Sequence, residues 1–370
     1  MKKPLLAAVF TTLATFSAST FAVEPLTIGA SAPLSGAQAY FGSSWLNGLQ
    51  LYIDQANAAG GIGGRKIALQ KLDDKADPRE GTLIAQKLCD QRDVVTAVAH
   101  MNSGVTIPTM DIYSGCGMPQ LTISTNPKVT QLGFKQVFQG APNDSVQGEL
   151  SASYAYTTLG SRKAAVVNDK QAFGQGVSQA FTGKFKSLGG NIVSTSSVNP
   201  TDVDFSSVLA SLKQQAPDVV YFGGTMPQLA LFVKQMRAAG MKSTFMAPDG
   251  AYTPQFNELS GGAAANAYVT FQALPYDASP ELRDFAAKYQ AKFGAAPGPQ
   301  AVYGWVSGQT VVNAMKNAKS LDRAGILAAM RLSHFDSLLG KVVFDQNGAL
   351  KGGGLFMFRV DGKGFKLVSK

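Results

Sequence analysis

Leu26-Thr-Ile-Gly-Ala30, the spaced residues Trp45, Leu46, Leu49, Ile53 and Ala56, the pair Gly60-Gly61, and Lys66-Ile-Ala-Leu-Gln-Lys-Leu72 together decide the fold class. The first segment is a short apolar run of strand type. Between Ser43 and Ala59 the apolar residues recur at helical spacing, and the two glycines that follow are a helix stop. Lys66 to Leu72 predicts a second strand and Arg79 to Gln91 a second helix. Strand–helix alternation of this kind implies a parallel sheet flanked by helices.

Outward from that unit the alternation continues. Val94 to Ala99, Gln120 to Ile123, Ala164 to Val167, Asn191 to Ser196, Asp218 to Phe222 and Thr244 to Met246 all predict short buried strands, most of them separated by helical patterns. That many units exceed one sheet, so two α/β lobes are expected. No solenoid-period repeat and no low-complexity linker divides the chain.

At the other end of this reading stands the N-terminus. Lys2 and Lys3, the mostly apolar Leu5 to Phe16, and small residues at Thr20 and Ala22 have the layout of a signal peptide over residues 1–22. The apolar run is shorter than the roughly 20 residues of a membrane span. No cysteine follows it for lipid attachment. Removing it leaves 348 residues with net charge +7, against +9 for the whole chain. No later segment approaches a span, so a soluble protein of the periplasm is expected. Lysines and arginines are scattered, with no run longer than Arg65-Lys66, which predicts a solvated basic surface and no nucleic-acid partner.

Cys89 and Cys116 are the only cysteines. In an oxidising compartment a bridge between them is natural, and closing that loop stabilises by roughly 3–4 kcal/mol. Two separate buried thiols are the alternative. The two histidines, His100 and His334, belong to no cluster with metal-ligand spacing, and no G-x-S-x-G elbow is present. Asp73-Asp74 at a strand end predicts a helix cap or partners for lysines. No catalytic residue, metal ligand or cofactor is therefore expected. Gly174-Gln-Gly176 lacks the third glycine of the dinucleotide fingerprint, where Gln179 stands, and Gly60-Gly-Ile-Gly-Gly64 follows a helix, so both are expected to be turns.

Several phrases in order carry a family resemblance. They are Gly29-Ala-Ser-Ala-Pro-Leu-Ser-Gly36, Ile53-Asp-Gln-Ala-Asn-Ala-Ala-Gly-Gly-Ile-Gly-Gly-Arg-Lys66, Asp73-Asp-Lys-Ala-Asp-Pro78, His100-Met-Asn-Ser-Gly-Val-Thr-Ile-Pro108 and Ser124-Thr-Asn-Pro127. Asn168-Asp-Lys-Gln-Ala-Phe-Gly-Gln-Gly176, Tyr221-Phe-Gly-Gly224 and Met246-Ala-Pro-Asp-Gly250 follow. In this the chain resembles the leucine/isoleucine/valine-binding protein family, the type I periplasmic binding fold. The resemblance implies two Rossmann-like lobes with parallel sheets, hinged by three crossovers. Residues 23–143 plus 272–350 would form lobe I and residues 144–271 plus 351–370 lobe II. A ligand would lie between the lobes, which close on it, and the protein, a monomer, would deliver it to the membrane permease subunits of an ABC transporter.

The resemblance also implies a site. Ser103, at a strand-to-helix turn beside Asn102, would bind a ligand carboxylate with the first free N–H groups of its helix. Thr125 would add a second hydroxyl, with Ile123 and Ser124 beside it. Asp249 would take the ammonium. Tyr40 and Phe173 would wall the pocket, and Thr225, where leucine-binding relatives can carry a tyrosine, would shape the side-chain space. Such a site suits a branched-chain or other small neutral amino acid. Relatives that bind amides, urea-like compounds or aromatic carboxylates need no ammonium partner, and a buried Asp249 would repel an aromatic anion. A sensory ligand-binding subunit is a further alternative.

Overall fold

The protein was analysed as a computed structural model that describes residues 24–362 and 364–369; the expected leader over residues 1–22 lies outside the described residues. Strands β1 (Leu26–Ala32), β2 (Ile67–Asp73), β3 (Val94–Ala99), β4 (Gln120–Thr122) and β5 (Val137–Gln139) form one sheet in the order β2-β1-β3-β4-β5. Every pairing in it is parallel. β1 and β3 are buried along their whole length, as the centre of a sheet covered on both faces must be.

The chain then enters a second sheet. Strands β6 (Lys163–Asn168), β7 (Asn191–Ser197), β8 (Val219–Gly223), β9 (Thr244–Ala247) and β10 (Tyr268–Phe271) are again parallel where they pair with one another. After β10 come helices Pro280–Phe293 and Ala301–Asn317 and a small hairpin of β11 (His334–Ser337) and β12 (Gly340–Val343). Finally β13 (Phe356–Val360) and β14 (Phe365–Ser369) complete the second sheet, in the order β14-β13-β10-β9-β8-β6-β7.

Helix Ala301–Asn317 belongs with the first sheet. Tyr303, Val311, Val312 and Met315 share one apolar core with Ile28, Trp45, Leu49 and Val98. It crosses helix Ala39–Ala58 at backbone contact, because Gly48 and Gly304 lie at the crossing. A Cβ at Gly48 would meet the Ala301 carbonyl oxygen at 1.9 Å, and one at Gly304 the Trp45 carbonyl oxygen at 1.8 Å.

The expected parallel sheets are present, and at the end of the second one β13 is added antiparallel to both β10 and β14. One expectation needs correction. Gly174 and Gly176 are not turn residues but lie inside helix Ala172–Ser187. There they admit close neighbours: a Cβ at Gly174 would stand 2.2 Å from Asp169 Oδ1, and one at Gly176 2.6 Å from Asp144 Oδ2. The Gly60–Gly64 segment is the expected turn, with positive φ at Gly60, Gly61, Gly63 and Gly64. Cys89 and Cys116 form a disulfide, their Cα atoms 5.8 Å apart.

Candidate ligand-binding site

In parallel α/β sheets, ligands collect at the carboxyl ends of the strands, where the loops to the following helices leave room. Here the carboxyl ends of β1, β3, β4, β6, β8 and β9 converge on one cavity with about 510 Å³ of empty space, part of it open to solvent. Among its lining residues are Asn102, Ser103, Ile123, Thr125, Phe173, Thr225 and Asp249. Seven residues singled out from sequence are thus brought together from five separate loops.

On the first-sheet side Ser103 opens helix Ser103–Gly115, and the first N–H donated inside that helix is Val105 to the Asn102 carbonyl. The N–H groups ahead of it lack intrahelical partners, as at every helix start. Ser103 Oγ accepts from Ser124 Oγ at 3.0 Å and from the Asn126 N–H at 3.3 Å. With both lone pairs used, its own proton is free to donate.

The loop beneath is over-determined. His100 Nδ1 meets Asp74 Oδ2 at 2.8 Å, Ser31 Oγ donates to the same oxygen at 3.0 Å, and Tyr113 Oη lies 3.3 Å from His100 Nε2. All four residues are fully buried or nearly so. The hydroxyls of Thr106 and Thr122 both donate to the His100 carbonyl. Asp74 is therefore a partner for histidine, not for lysine, while Asp73 organises its own loop by accepting from Leu34 N, Ser35 Oγ and Lys75 N.

On the second-sheet side Asp249 follows β9. Its carboxylate accepts from Gln272 Nε2 at 3.0 Å and Gln147 Nε2 at 3.3 Å. Gln147 is itself fixed: its Oε1 accepts from Asp249 N at 2.9 Å and from Thr270 Oγ1 at 2.7 Å. Burial pushes the Asp249 carboxyl up from the usual carboxylate range, and the two amide donors oppose that rise. The side chain is only partly accessible, because it forms a cavity wall.

Tyr40 and Ser124 are placed elsewhere. Tyr40, 38% exposed, faces a separate cavity lined by Tyr252, Pro254, Phe271 and Tyr276. On a helix each residue is turned about 100° from the last, and it is Phe41 that reaches the central cavity. Ser124 is buried behind Ser103 and touches it by hydrogen bond without lining the space. Gln38, Met101, Gly250 and Gln300 also line the cavity; Met101 and Gly250 lie in phrases that carry the resemblance but were not singled out, and Gln38 and Gln300 had no signal in the sequence. Gln38 joins the two sides, accepting from Asn102 Nδ2 at 2.6 Å and donating to Thr225 Oγ1 at 3.3 Å. Asn126 Nδ2 makes a second bridge, to the Ala172 carbonyl at 2.7 Å. Among the described residues no group of three His, Cys, Asp or Glu side chains is placed to hold a metal.

Comparison with known proteins agrees with this geometry. A profile described as periplasmic binding protein matches residues 25–365. The chain is 31% identical over 350 residues to a protein of Pseudomonas aeruginosa named amino acid binding protein, covering 94% of this chain and 93% of that one. A solved leucine binding protein, LivK of Thermotoga maritima, superposes with a TM-score of 0.87 at 27% identity, over 93% of this chain and 98% of its own. The branched-chain amino acid transporter substrate binding protein LivJ of Streptococcus pneumoniae, solved with isoleucine, gives 0.86 at 25% identity, over 94% and 100%. With a profile matching nearly its whole length and a cavity at the strand ends of two sheets, the chain belongs to the periplasmic binding protein family.

Proposed function

We propose that this protein captures an α-amino acid in the periplasm and delivers it to the permease of an ABC transporter. The observation that carries the reading is the polarity of the cavity. A helix N-terminus with a free hydroxyl proton at Ser103 stands on one side, and the Asp249 carboxylate on the other. A zwitterion has one charged group for each, and neither of its charges is left unpaired when water is excluded.

Residues 23–143 with 272–350 and residues 144–271 with 351–370 act as two lobes. They close by hinge motion over the ligand, and Gln38 and Asn126 bridge them in the closed form. Phe173, Phe41, Met101 and Ile123 offer apolar surface to a neutral side chain, in keeping with the isoleucine held by the Streptococcus pneumoniae relative. Export by the leader over residues 1–22 and a monomeric state complete the reading.

A thermal-shift screen of the mature protein, refolded to strip carried-over ligand, tests it. A ligand bound only by the folded state raises the melting temperature. Selective shifts with α-amino acids are expected. Shifts only with carboxylates lacking an amine would overturn the proposal and remove Asp249 from the site.

A further inference from the structure

The cavity carries more hydrogen-bonding groups than an amino-acid headgroup can use. Gln300, in the turn before helix Ala301–Asn317, lines it and is only 8% exposed. It stands at the N-cap of that helix, yet its side chain makes no capping bond, and glutamine is not among the residues that cap well. Its Oε1 is buried without a donor, and among the described residues its amide has no hydrogen-bond partner. Burying an amide that pairs with nothing is unfavourable, and an apolar side chain of the same length would fill the place at lower cost. Neither packing nor capping therefore accounts for a glutamine here.

Two other lining residues are in a similar condition. Asn102 Oδ1 is buried without a donor, although Asn102 Nδ2 donates to Gln38. Thr225 Oγ1 accepts from Gln38 Nε2, and its own proton meets no acceptor among the described residues. The lining thus offers a free acceptor at Asn102, a free donor at Thr225 and an uncommitted amide at Gln300. Asp249 is the only ionisable side chain among the described lining residues, and the ammonium takes it. A charged ligand side chain would be buried there without a counter-ion. An aliphatic one would leave all three polar groups unpaired.

We propose that the captured amino acid has an uncharged side chain ending in a hydrogen-bonding group, a carboxamide or a hydroxyl, and that Gln300 selects it by bonding to that group. Because the chain holds neither end of the Gln300 amide, it can turn its oxygen or its nitrogen to the ligand. A carboxamide can pair with it twice, giving N–H to Oε1 and accepting from Nε2. Phe41 and Phe173 offer their apolar surface to the stem of the same side chain. The inference rests on the amino-acid reading of the site and narrows it.

Calorimetry on wild type and on Gln300→Met would compare near-isosteric ligand pairs: asparagine with leucine, glutamine with methionine, and threonine with valine. The first two pairs report on a carboxamide and the third on a hydroxyl. Wild type is expected to favour the polar member of at least one pair by about tenfold or more, the scale of a hydrogen bond in a closed site. Gln300→Met, of similar length, is expected to lose about tenfold for that polar ligand while its apolar counterpart binds as well or better. A residue that served packing alone would weaken both members equally. Apolar members that bind as tightly in every pair, or a preference that survives Gln300→Met, would overturn the inference while leaving amino-acid binding intact. A wild type that binds no α-amino acid overturns both.

Discussion

The wall carried by β3 and β4 meets the cavity with neutral dipoles, a helix start and two hydroxyls, while the wall carried by β8 and β9 meets it with a carboxylate. Their foundations differ in the same way. Under the first wall a chain of hydrogen bonds through Asp74, His100, Thr106 and Thr122 fixes the strand-end loop. The Arg323 guanidinium, donating to the carbonyls of Leu88, Cys89, Gln91, Val94 and Cys116, and the adjacent disulfide staple its periphery. Under the second wall, buried carboxylates stand in surroundings that disfavour their charge. Dipoles on a satisfied scaffold can wait for an anion at little cost. A buried carboxylate waiting for a cation must be solvated meanwhile, here by Gln147 and Gln272.

The difference predicts where substitutions strike. Asp249→Ala should remove the only charge committed to the ligand and cost about 3–5 kcal/mol of binding, roughly a hundredfold or more, with the fold intact. Calorimetry alongside a thermal melt separates the two effects; unchanged affinity would make the walls equivalent. Replacing Cys89 and Cys116 by alanine should act on stability instead, lowering it by about 3–4 kcal/mol. A chemical-denaturation midpoint checks this, and loss of binding in the folded variant would contradict a purely structural staple.

The third prediction concerns Asp169, which begins the loop after β6 and accepts from the Gln171 N–H at 3.0 Å. Burial pushes its carboxyl up to about 6. Its native pKa being the higher, the folded state keeps a proton that the unfolded chain has released. Stability therefore falls as pH rises from about 4 to 6. Asp169→Asn keeps the acceptor without the charge and should gain about 3 kcal/mol at pH 7 and almost nothing at pH 4. Equal gains at both pH values would exclude titration as the cause. The smallest effect on binding is expected from Ser103→Ala, which removes one donor from a wall that keeps its helix N–H groups: about 1.5–3 kcal/mol in affinity, with a lowered melting temperature because Ser124 Oγ and the Asn126 N–H lose their acceptor.

The same contrast governs what could be read from sequence. β3 was legible because it is a continuous apolar run buried at every position. β5, three residues long at a sheet edge, offered no such pattern. Ser103, Thr125 and Asp249 are reached through the family resemblance, because each lies in a short contiguous phrase at a strand end that carries it. Gln147 was invisible: a glutamine within a helix reads as a solvated residue, and its partner Asp249 lies 102 residues away. Gln38 and Gln300 reach the cavity only through packing of the helices that follow them, and the pairing of His100 with Asp74 likewise follows from the sheet, not from spacing. Tyr40 shows the opposite error, a plausible aromatic one helical step from Phe41, the ring that faces the space.

The most direct test of the account is the coupling between Asp249 and the ligand's ammonium. Calorimetry would compare the best-binding amino acid with its analogue carrying hydroxyl in place of the amine, on wild type and on Asp249→Asn. The account predicts that wild type loses about 3 kcal/mol or more on removal of the amine, and that Asp249→Asn scarcely distinguishes the two ligands. If the variant still prefers the amine as strongly as wild type does, Asp249 does not hold the ammonium and the division of labour between the walls is wrong.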